Sequence, residues 1–105
     1  MPQFSVYRNR NPKTKADIPY LLDVQTDLLS DLATRTVVPL YLKRASGVKS
    51  FIRLTPEFTI EGRKCVLMTP ELAGIPVKAL GEPISELGGH RIEIVAALDL
   101  LITGF

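Results

Sequence analysis

The chain has 105 residues, of which 46% are hydrophobic and 23% are charged, and its formal net charge is +2. This length suits one domain, so we expect residues 1–105 to form a single domain. The composition is that of a folded globular protein and excludes the disordered and membrane classes. The first residues carry neither a basic segment nor an apolar run, so no secretory signal is indicated and a cytoplasmic location is expected.

The N-terminal segment predicts a β-hairpin with a long basic loop. Apolar and polar residues alternate over residues 4–7, and residues 20–24 have the composition of a returning strand. Residues 8–19 between them are polar, basic and interrupted by two prolines, which predicts an exposed loop. Residues 1–64 carry a net charge of +5 and residues 65–105 a net charge of −3. The front half therefore favours an acidic partner, but its charge is too small to indicate nucleic-acid binding.

The next segment is a predicted turn followed by a short strand. Residues 25–31 hold two adjacent leucines, Leu28 and Leu29, among short polar residues that favour turns. Adjacent strand residues point to opposite faces, so one of the two leucines is expected to be exposed. The β-branched residues 36–38 stop at Pro39, which cannot donate a ladder hydrogen bond, so the strand is expected to end near a sheet edge.

Short strands and turns are predicted for the middle of the chain. Glu61 and Gly62 form a good tight-turn pair between two strands, so they predict a hairpin. Residues 69–76 are punctuated by proline and glycine and predict a turn, with at most one short helical turn. Gly81 and Pro83 are expected to end the strand before them. The predicted strands of this region cover residues 51–54, 58–60, 64–68 and 77–80.

The last segment predicts the main helix, because residues 90–102 lack glycine and proline and span over three turns. Gly104 suits a C-terminal cap, and the terminal Phe105 either packs back on the helix or inserts into a partner. At about 100° per residue, the face expected to pack on the sheet holds Ile94, Val95, Leu98, Leu101 and Ile102. The opposite face, which is too apolar for open solvent, holds Ile92, Glu93, Ala96, Asp99, Leu100 and Thr103. Either a second layer of the same domain or a partner is expected to cover it.

Residues that could carry chemistry are sparse. Cys65 lies in a strand-like run and is interpreted as a buried hydrophobic residue. His90 has no neighbouring ligands and is interpreted as a surface residue near a helix start. Asp23 and Asp27 are interpreted as a turn acid and a solvated acid, because their spacing on a strand-to-turn path does not pair them. No catalytic, metal or cofactor site is therefore predicted, although small ribonucleases assemble sites from scattered Arg, Asp and Thr residues.

Several short stretches carry a family resemblance over nearly the whole chain. They are residues 3–7, 22–29, 35–40, 68–69, 75–77, 81–82 and 102–105. In this order and spacing, the set resembles the CcdB toxins of plasmid and chromosomal toxin–antitoxin modules. The resemblance implies a mostly β (α+β) fold, with a five-stranded antiparallel sheet in an SH3-like barrel, a small accessory sheet and a C-terminal helix.

The resemblance also implies partners. The protein would be a homodimer that binds the A subunit of DNA gyrase and traps the gyrase–DNA cleavage complex, as in plasmid maintenance. A CcdA-like antitoxin would neutralise it through an acidic, disordered C-terminal segment. No membrane association, cofactor or direct nucleic-acid binding is expected.

The resemblance carries over to particular residues. The paired aliphatics and the C-terminal tripeptide of the family map onto Leu28, Leu29, Thr103, Gly104 and Phe105, and its two helix-face amides map onto Asp99 and Ala96. Ile92 and Leu100 share that helix face and complete the expected gyrase-binding set. Thr103 departs from the family pattern, because the best-known member has a tryptophan there. The expected antitoxin-binding residues are Arg8, Arg10, Lys13 and Lys15.

Two alternatives to a gyrase poison stay open at this point. One is an endoribonuclease toxin that shares the same barrel fold, since fold alone does not separate the two activities. The other is a non-toxic interaction module, in which Thr103 and Asp99 would mark a lost gyrase contact.

Overall fold

The computed structural model describes residues 2–45 and 47–104. Strands are the main regular structure of the described residues, and the one α-helix among them lies at the C-terminal end. Four 3-10 turns connect the strands, at Asp27–Leu29, Thr69–Glu71, Val77–Ala79 and Gly88–His90. The strands and the helix are β1 Ser5–Asn9, β2 Tyr20–Asp23, β3 Thr34–Leu42, β4 Glu57–Ile60, β5 Arg63–Leu67, β6 Ala73–Pro76, β7 Leu80–Glu86 and α1 Arg91–Thr103.

The strands form one antiparallel sheet in the order β4-β5-β3-β2-β1-β7, with β6 paired to β3 off this path. The long strand β3 is the branch point, because it pairs with β2 along one edge and with β6 and then β5 along the other. The mostly β, α+β prediction is confirmed. The described residues make a single seven-stranded sheet, whereas the resemblance implied five strands and a separate accessory sheet.

An ion-pair cluster holds the sheet in its curled shape. Glu61, in the turn between β4 and β5, accepts a hydrogen bond from the Tyr20 hydroxyl of β2 at 2.6 Å. Its other carboxylate oxygen lies 2.9 Å from the Arg8 guanidinium of β1, which also contacts Glu82 of β7 at 3.1 Å. These contacts join the β4–β5 turn, at one end of the sheet, to β1 and β7 at the other end.

The hydrophobic core lies between the sheet and α1. Strands β1 to β5 contribute the residues that alternate toward one face, as the period of two requires. Ile94 is fully buried among these strand residues, and Val95 and Leu98 pack against them. The core members with no exposed surface include Val6, Tyr20, Leu22, Val38, Leu40, Cys65, Leu67 and Ile94.

The predicted hairpins are largely confirmed. β1 pairs with β2, as expected of the segments on either side of the basic loop. β4 pairs with β5 through a turn in which Glu61 and Gly62 both have positive φ, 52° and 76°. That conformation matches the twist of the flanking strands, which explains the tight turn.

The prediction that a strand ends near an edge at Pro39 is wrong. β3 runs through Pro39, which pairs with Leu21 in the interior of the sheet. On the edge of β3 that faces away from β2, pairing with β6 ends at Val37 and pairing with β5 begins at Leu40. In this interval the Pro39 carbonyl accepts a hydrogen bond from the Met68 amide at 3.0 Å. N–H and C=O of one antiparallel residue face the same side, so the missing proline donor falls in the gap between two partner strands.

Two other predicted strands are also wrong. Residues 51–54 form turns closed by Thr55, whose hydroxyl accepts from the Phe51 amide at 2.6 Å. Residues 77–79 form a 3-10 turn, after which β7 begins at Leu80. β7 continues through Gly81 and Pro83, because it is an edge strand with irregular register where Tyr7 faces Pro83. The predicted turn over 69–76 contains a 3-10 turn but also the unpredicted strand β6.

Gly81 is the glycine whose replacement should cost most stability. A Cβ atom there would lie 2.7 Å from the Arg8 carbonyl oxygen, a backbone atom of the paired strand. We expect Gly81→Ala to lower the free energy of unfolding by about 1–3 kcal/mol in urea titrations, because the two strands must separate. The matched control is Gly89→Ala, since a Cβ at Gly89 meets nothing within 4 Å. Equal stability of the two variants would contradict this close approach.

Candidate functional site

Helix α1 is anchored to the core along one line of residues. Ile94 and Ala97 have no exposed surface, and Leu98 packs against the core cluster. The prediction that Ile94, Val95 and Leu98 face the sheet is confirmed. The same prediction is wrong for Ile102, which is 71% exposed, and it omitted Ala97. The buried line therefore runs from Ile94 to the residues three and four positions later, Ala97 and Leu98. It includes Ala97, which the predicted stripe left out.

The opposite face of α1 is open to solvent. Ile92 is 85% exposed, and Asp99 and Thr103 are exposed as well. Ala96 and Leu100 are half-buried, and Ala96 helps to line a shallow groove between Ile92 and Asp99. No second layer formed by residues 2–45 or 47–104 covers Ile92. The alternative of an internal cover for this face is therefore wrong for the described chain.

The adjacent leucines occupy a 3-10 turn at a corner of the sheet. Thr26 caps this turn, because its hydroxyl accepts from the Leu28 amide at 3.3 Å. The Ser30 hydroxyl closes it by donating to the Asp27 carbonyl at 2.6 Å. Leu28 is 92% exposed and Leu29 is 47% exposed. One exposed leucine was predicted, and the structure exposes both.

Gln3 links the leucine turn to the start of α1. Its backbone amide donates to Asp27 Oδ1 at 2.7 Å, and its side-chain oxygen accepts from Arg91 Nη1 at 3.0 Å. Asp27 precedes Leu28, and Arg91 precedes Ile92, so Gln3 contacts the side chains that are next in sequence to both exposed residues. We call the exposed residues Leu28, Leu29, Ile92 and Ile102 the apolar face.

The C-terminal end of α1 is capped. Gly104 adopts φ +82° and its amide donates to the Leu100 carbonyl at 3.1 Å, as predicted for a C-cap glycine. The Thr103 hydroxyl turns back and donates to the Asp99 carbonyl at 2.7 Å. Phe105, the last residue of the predicted gyrase-binding set, lies outside the described residues.

A buried ion pair positions the leucine turn, and the sequence patterns did not predict it. Asp23 and Arg35 have fully buried side chains, and the Arg35 guanidinium lies 2.7 Å from Asp23 Oδ2. Asp23 Oδ1 also accepts from the Gln25 amide at 3.0 Å. Gln25 in turn donates to the Leu29 carbonyl at 2.9 Å and accepts from the Thr36 amide at 3.0 Å. Asp23 thus bonds the turn that follows it, as the interpretation of a turn acid expects, and it also forms a buried ion pair that was not predicted.

The predicted antitoxin-binding residues differ in the contacts that their charged groups make within the protein. The hydrogen bonds that Arg8 donates, first to Glu61 and then to Glu82, raise the pKa of Arg8, whose charge is therefore balanced by two carboxylates. The Arg10 guanidinium donates to the Lys78 carbonyl at 3.2 Å. Lys13 and Lys15 are exposed on the loop between β1 and β2. Arg8, Arg10 and Lys15 nevertheless line one shallow pocket together with Glu82.

The surroundings of Cys65 and His90 match the interpretations made from the sequence. Cys65 is fully buried in β5, and burial raises the pKa of its thiol, as expected of a hydrophobic packing residue. His90 is exposed just before α1, with Nδ1 3.1 Å from Glu93 and its ring edge against Phe58. Among the described residues, no His, Cys, Asp or Glu side chains gather in a set of three or more suited to a metal ion. No helix in this part of the chain is long and apolar enough to span a bilayer.

The described residues form a curled antiparallel sheet and a C-terminal helix with an exposed apolar face, which defines a small α+β protein. The family model described as CcdB protein matches residues 3–104. The chain therefore belongs to the CcdB family, and the predicted family is confirmed. Its class is that of a toxin from a toxin–antitoxin module.

Proposed function

We propose that this toxin acts in the cytoplasm by binding the A subunit of DNA gyrase and trapping the cleaved gyrase–DNA complex, without catalysis of its own. The observation that carries the proposal is the apolar face, in which Ile92 is 85% exposed and Leu28 is 92% exposed. Exposed side chains of this size are unfavourable in water, and their burial against a partner would contribute roughly 1.5–3 kcal/mol each. A single domain of residues 1–105 with an SH3-like barrel would present this face.

The arrangement of the apolar face suits binding because it is fixed before the partner arrives. Gln3 contacts Asp27 of the leucine turn and Arg91 of α1, and the buried Asp23–Arg35 pair supports the same turn through Gln25. Preorganised surfaces lose little conformational freedom on association, so more of the burial energy appears as affinity. Asp99, Ala96, Leu100, Thr103, Gly104 and Phe105 extend the proposed gyrase contact along the helix.

The proposed assembly is a homodimer, in which a second copy doubles the gyrase-binding surface. Two linked contacts on a symmetric partner bind more tightly than either alone, because the second contact forms at high effective concentration. A CcdA-like antitoxin would oppose this toxin through an acidic, disordered C-terminal segment. Arg8, Arg10, Lys13 and Lys15 are the proposed positions at which that segment binds.

Expression in bacteria whose gyrase is either sensitive or resistant tests the proposed target. We expect growth arrest in the sensitive strain and normal growth in the otherwise identical resistant strain. Chromosomal DNA should break while cellular RNA stays intact. Arrest in both strains, with site-specific cleavage of mRNA, would replace this proposal by the endoribonuclease alternative. Normal growth in both strains would favour the non-toxic interaction module.

A further inference from the structure

A hydrogen-bonded turn lies in the loop between β3 and β4. The Thr55 amide donates to the Phe51 carbonyl at 2.9 Å, and the Thr55 hydroxyl accepts from the Phe51 amide at 2.6 Å. The same hydroxyl donates to the Lys49 carbonyl at 3.3 Å. Thr55 is 2% exposed, so these bonds tie the turn to the interior of the protein. We call residues 49–55 the tip turn.

The tip turn exposes two large apolar side chains. Ile52 is 95% exposed and Phe51 is 57% exposed. Neither residue belongs to the hydrophobic clusters of the described chain or packs against them. Because Thr55 holds the backbone of the turn, the segment that carries both side chains is fixed before any partner binds. Their transfer from water to an apolar environment would be favourable.

Positive charge is concentrated around the tip turn. Residues 42–56 hold four cationic residues and no acidic residue, although the whole chain has a net charge of only +2. The acidic residue that follows this segment, Glu57, lies 3.1 Å from Lys43 Nζ. Lys49 and Arg53, on either side of the apolar pair, are exposed and form no ion pair with any described residue. Apolar surface and positive charge that the described protein does not neutralise therefore occur together in one turn.

This combination matches the surface of a bilayer that contains anionic lipids. Apolar side chains are stabilised at the boundary between headgroups and acyl chains, while cationic side chains beside them remain with the lipid phosphates. Neither signal alone gives firm attachment, and the tip turn carries both. The contact would be peripheral, because it involves a turn and not a membrane-spanning helix.

A lipid surface fits the tip turn better than a nucleic acid does. Base stacking requires a π face, which Ile52, the more exposed of the two apolar residues, does not have. The hydroxyl of Ser50, the polar side chain next to the apolar pair, donates to the Thr55 carbonyl at 3.3 Å. That hydroxyl is thus engaged within the turn and is not directed to a base.

We propose that the tip turn binds the surface of an anionic bilayer, with Phe51 and Ile52 in the headgroup boundary and Lys49 and Arg53 at lipid phosphates. The inference goes beyond the proposed function, because the tip turn shares no residue with the apolar face. It departs from the expectation of no membrane association, which followed from the family resemblance.

The test measures flotation of the full-length protein with vesicles made of phosphatidylglycerol and phosphatidylcholine in equal parts. Vesicles of phosphatidylcholine alone are the uncharged control and should carry little protein. We expect Ile52→Glu to bind the anionic vesicles about tenfold more weakly, because it removes apolar surface and adds a negative charge. The matched variant Ile92→Glu makes the same change at a residue that is 85% exposed, and it should bind within about twofold of the parent protein.

A second pair of variants tests the charges. Lys49→Gln with Arg53→Gln should weaken vesicle binding about tenfold, since each cation near an anionic surface contributes to binding. Lys13→Gln with Lys15→Gln, which removes two exposed cations from the loop between β1 and β2, should bind within about twofold of the parent. Vesicle binding by the parent protein should fall as salt rises.

A spectroscopic measurement reports on the tip turn itself. The chain contains no tryptophan, so Phe51→Trp places a single fluorescent reporter at the tip. We expect its emission to shift to shorter wavelength when anionic vesicles are added, because the indole ring leaves water. An unchanged spectrum at vesicle concentrations that carry the protein in flotation would overturn the proposed contact.

Several flotation results would also overturn it: no binding to the anionic vesicles, equal binding by the Ile52 and Ile92 variants, or equal binding by the two charge variants. Binding of a single-stranded oligonucleotide without binding of vesicles would assign the tip turn to nucleic acid instead. Thermal melting checks that each variant folds, and Ile52→Ser replaces Ile52→Glu if the glutamate variant does not. Because the assay contains no gyrase, its failure is separate from failure of the proposed gyrase target.

Discussion

Replacing Ile92 by glutamate is expected to abolish growth arrest in gyrase-sensitive cells. Ile92 is the most exposed residue of the apolar face on α1, and a carboxylate there would lose its hydration on docking. We expect gyrase affinity to fall at least about a hundredfold, which corresponds to about 2.7 kcal/mol. Colony counts after induced expression and a binding titration with purified gyrase measure the two effects.

The matched control for Ile92→Glu is Ile52→Glu. Ile52 is 95% exposed and Ile92 is 85% exposed, so neither substitution removes buried surface from the folded protein. Ile52 lies in the loop between β3 and β4, outside both α1 and the leucine turn. The Ile52 variant should still arrest growth, and both variants should melt like the parent. Full toxicity of the Ile92 variant would remove this residue from the gyrase contact.

Asp23→Ala is expected to cause a large loss of stability. The side chains of Asp23 and Arg35 are fully buried 2.7 Å apart, so the variant keeps a buried guanidinium that has lost its carboxylate. Breaking such a pair from one side costs about 3–5 kcal/mol. Chemical denaturation should show this loss, and the loosened leucine turn should also weaken gyrase binding.

Two further variants separate the buried charge from a general effect of removing an acid. Asp31→Ala removes an exposed carboxylate from the segment between β2 and β3 and should change stability by less than about 0.5 kcal/mol. The double variant Asp23→Leu with Arg35→Met removes both buried charges and should recover part of the lost stability. A loss for Asp23→Ala no greater than that for Asp31→Ala would contradict the structural role of the pair.

The elements that sequence predicted well are those whose signals are local. The helix follows from a run without glycine or proline, and the β4–β5 hairpin follows from Glu61 and Gly62 at its turn. The C-cap at Gly104 is local in the same sense. These features depend on neighbours within one turn or one hairpin, so a single sequence carries enough information to place them.

The elements that sequence missed depend on distant partners. Pro39 is tolerated inside β3 only because β5 and β6 leave a gap opposite it, and no local pattern announces that gap. β6 is a strand because β3 offers it a free edge. The Asp23–Arg35 pair joins residues twelve positions apart, and each looks like an ordinary polar residue by itself.

The sequence predicted which residues of the candidate site are exposed, but not the contacts that connect them. The exposed leucines and the outward Ile92 follow from turn chemistry and helical periodicity. Gln3 contacts Asp27, next to the leucines, in one direction and Arg91, next to Ile92, in the other. A short polar residue next to the N-terminus gave no signal of this role, because its contacts lie 24 and 88 residues away in sequence.

The most direct measurement of gyrase poisoning uses purified components. Supercoiled DNA, gyrase and ATP are incubated with the protein, the reaction is stopped with detergent and protease, and the DNA topology is resolved on a gel. The proposed function predicts that linear DNA accumulates as the protein concentration rises, and that Ile92→Glu prevents this while Ile52→Glu does not. Unchanged supercoiling without linear DNA, at protein concentrations that arrest sensitive cells, would contradict the proposal.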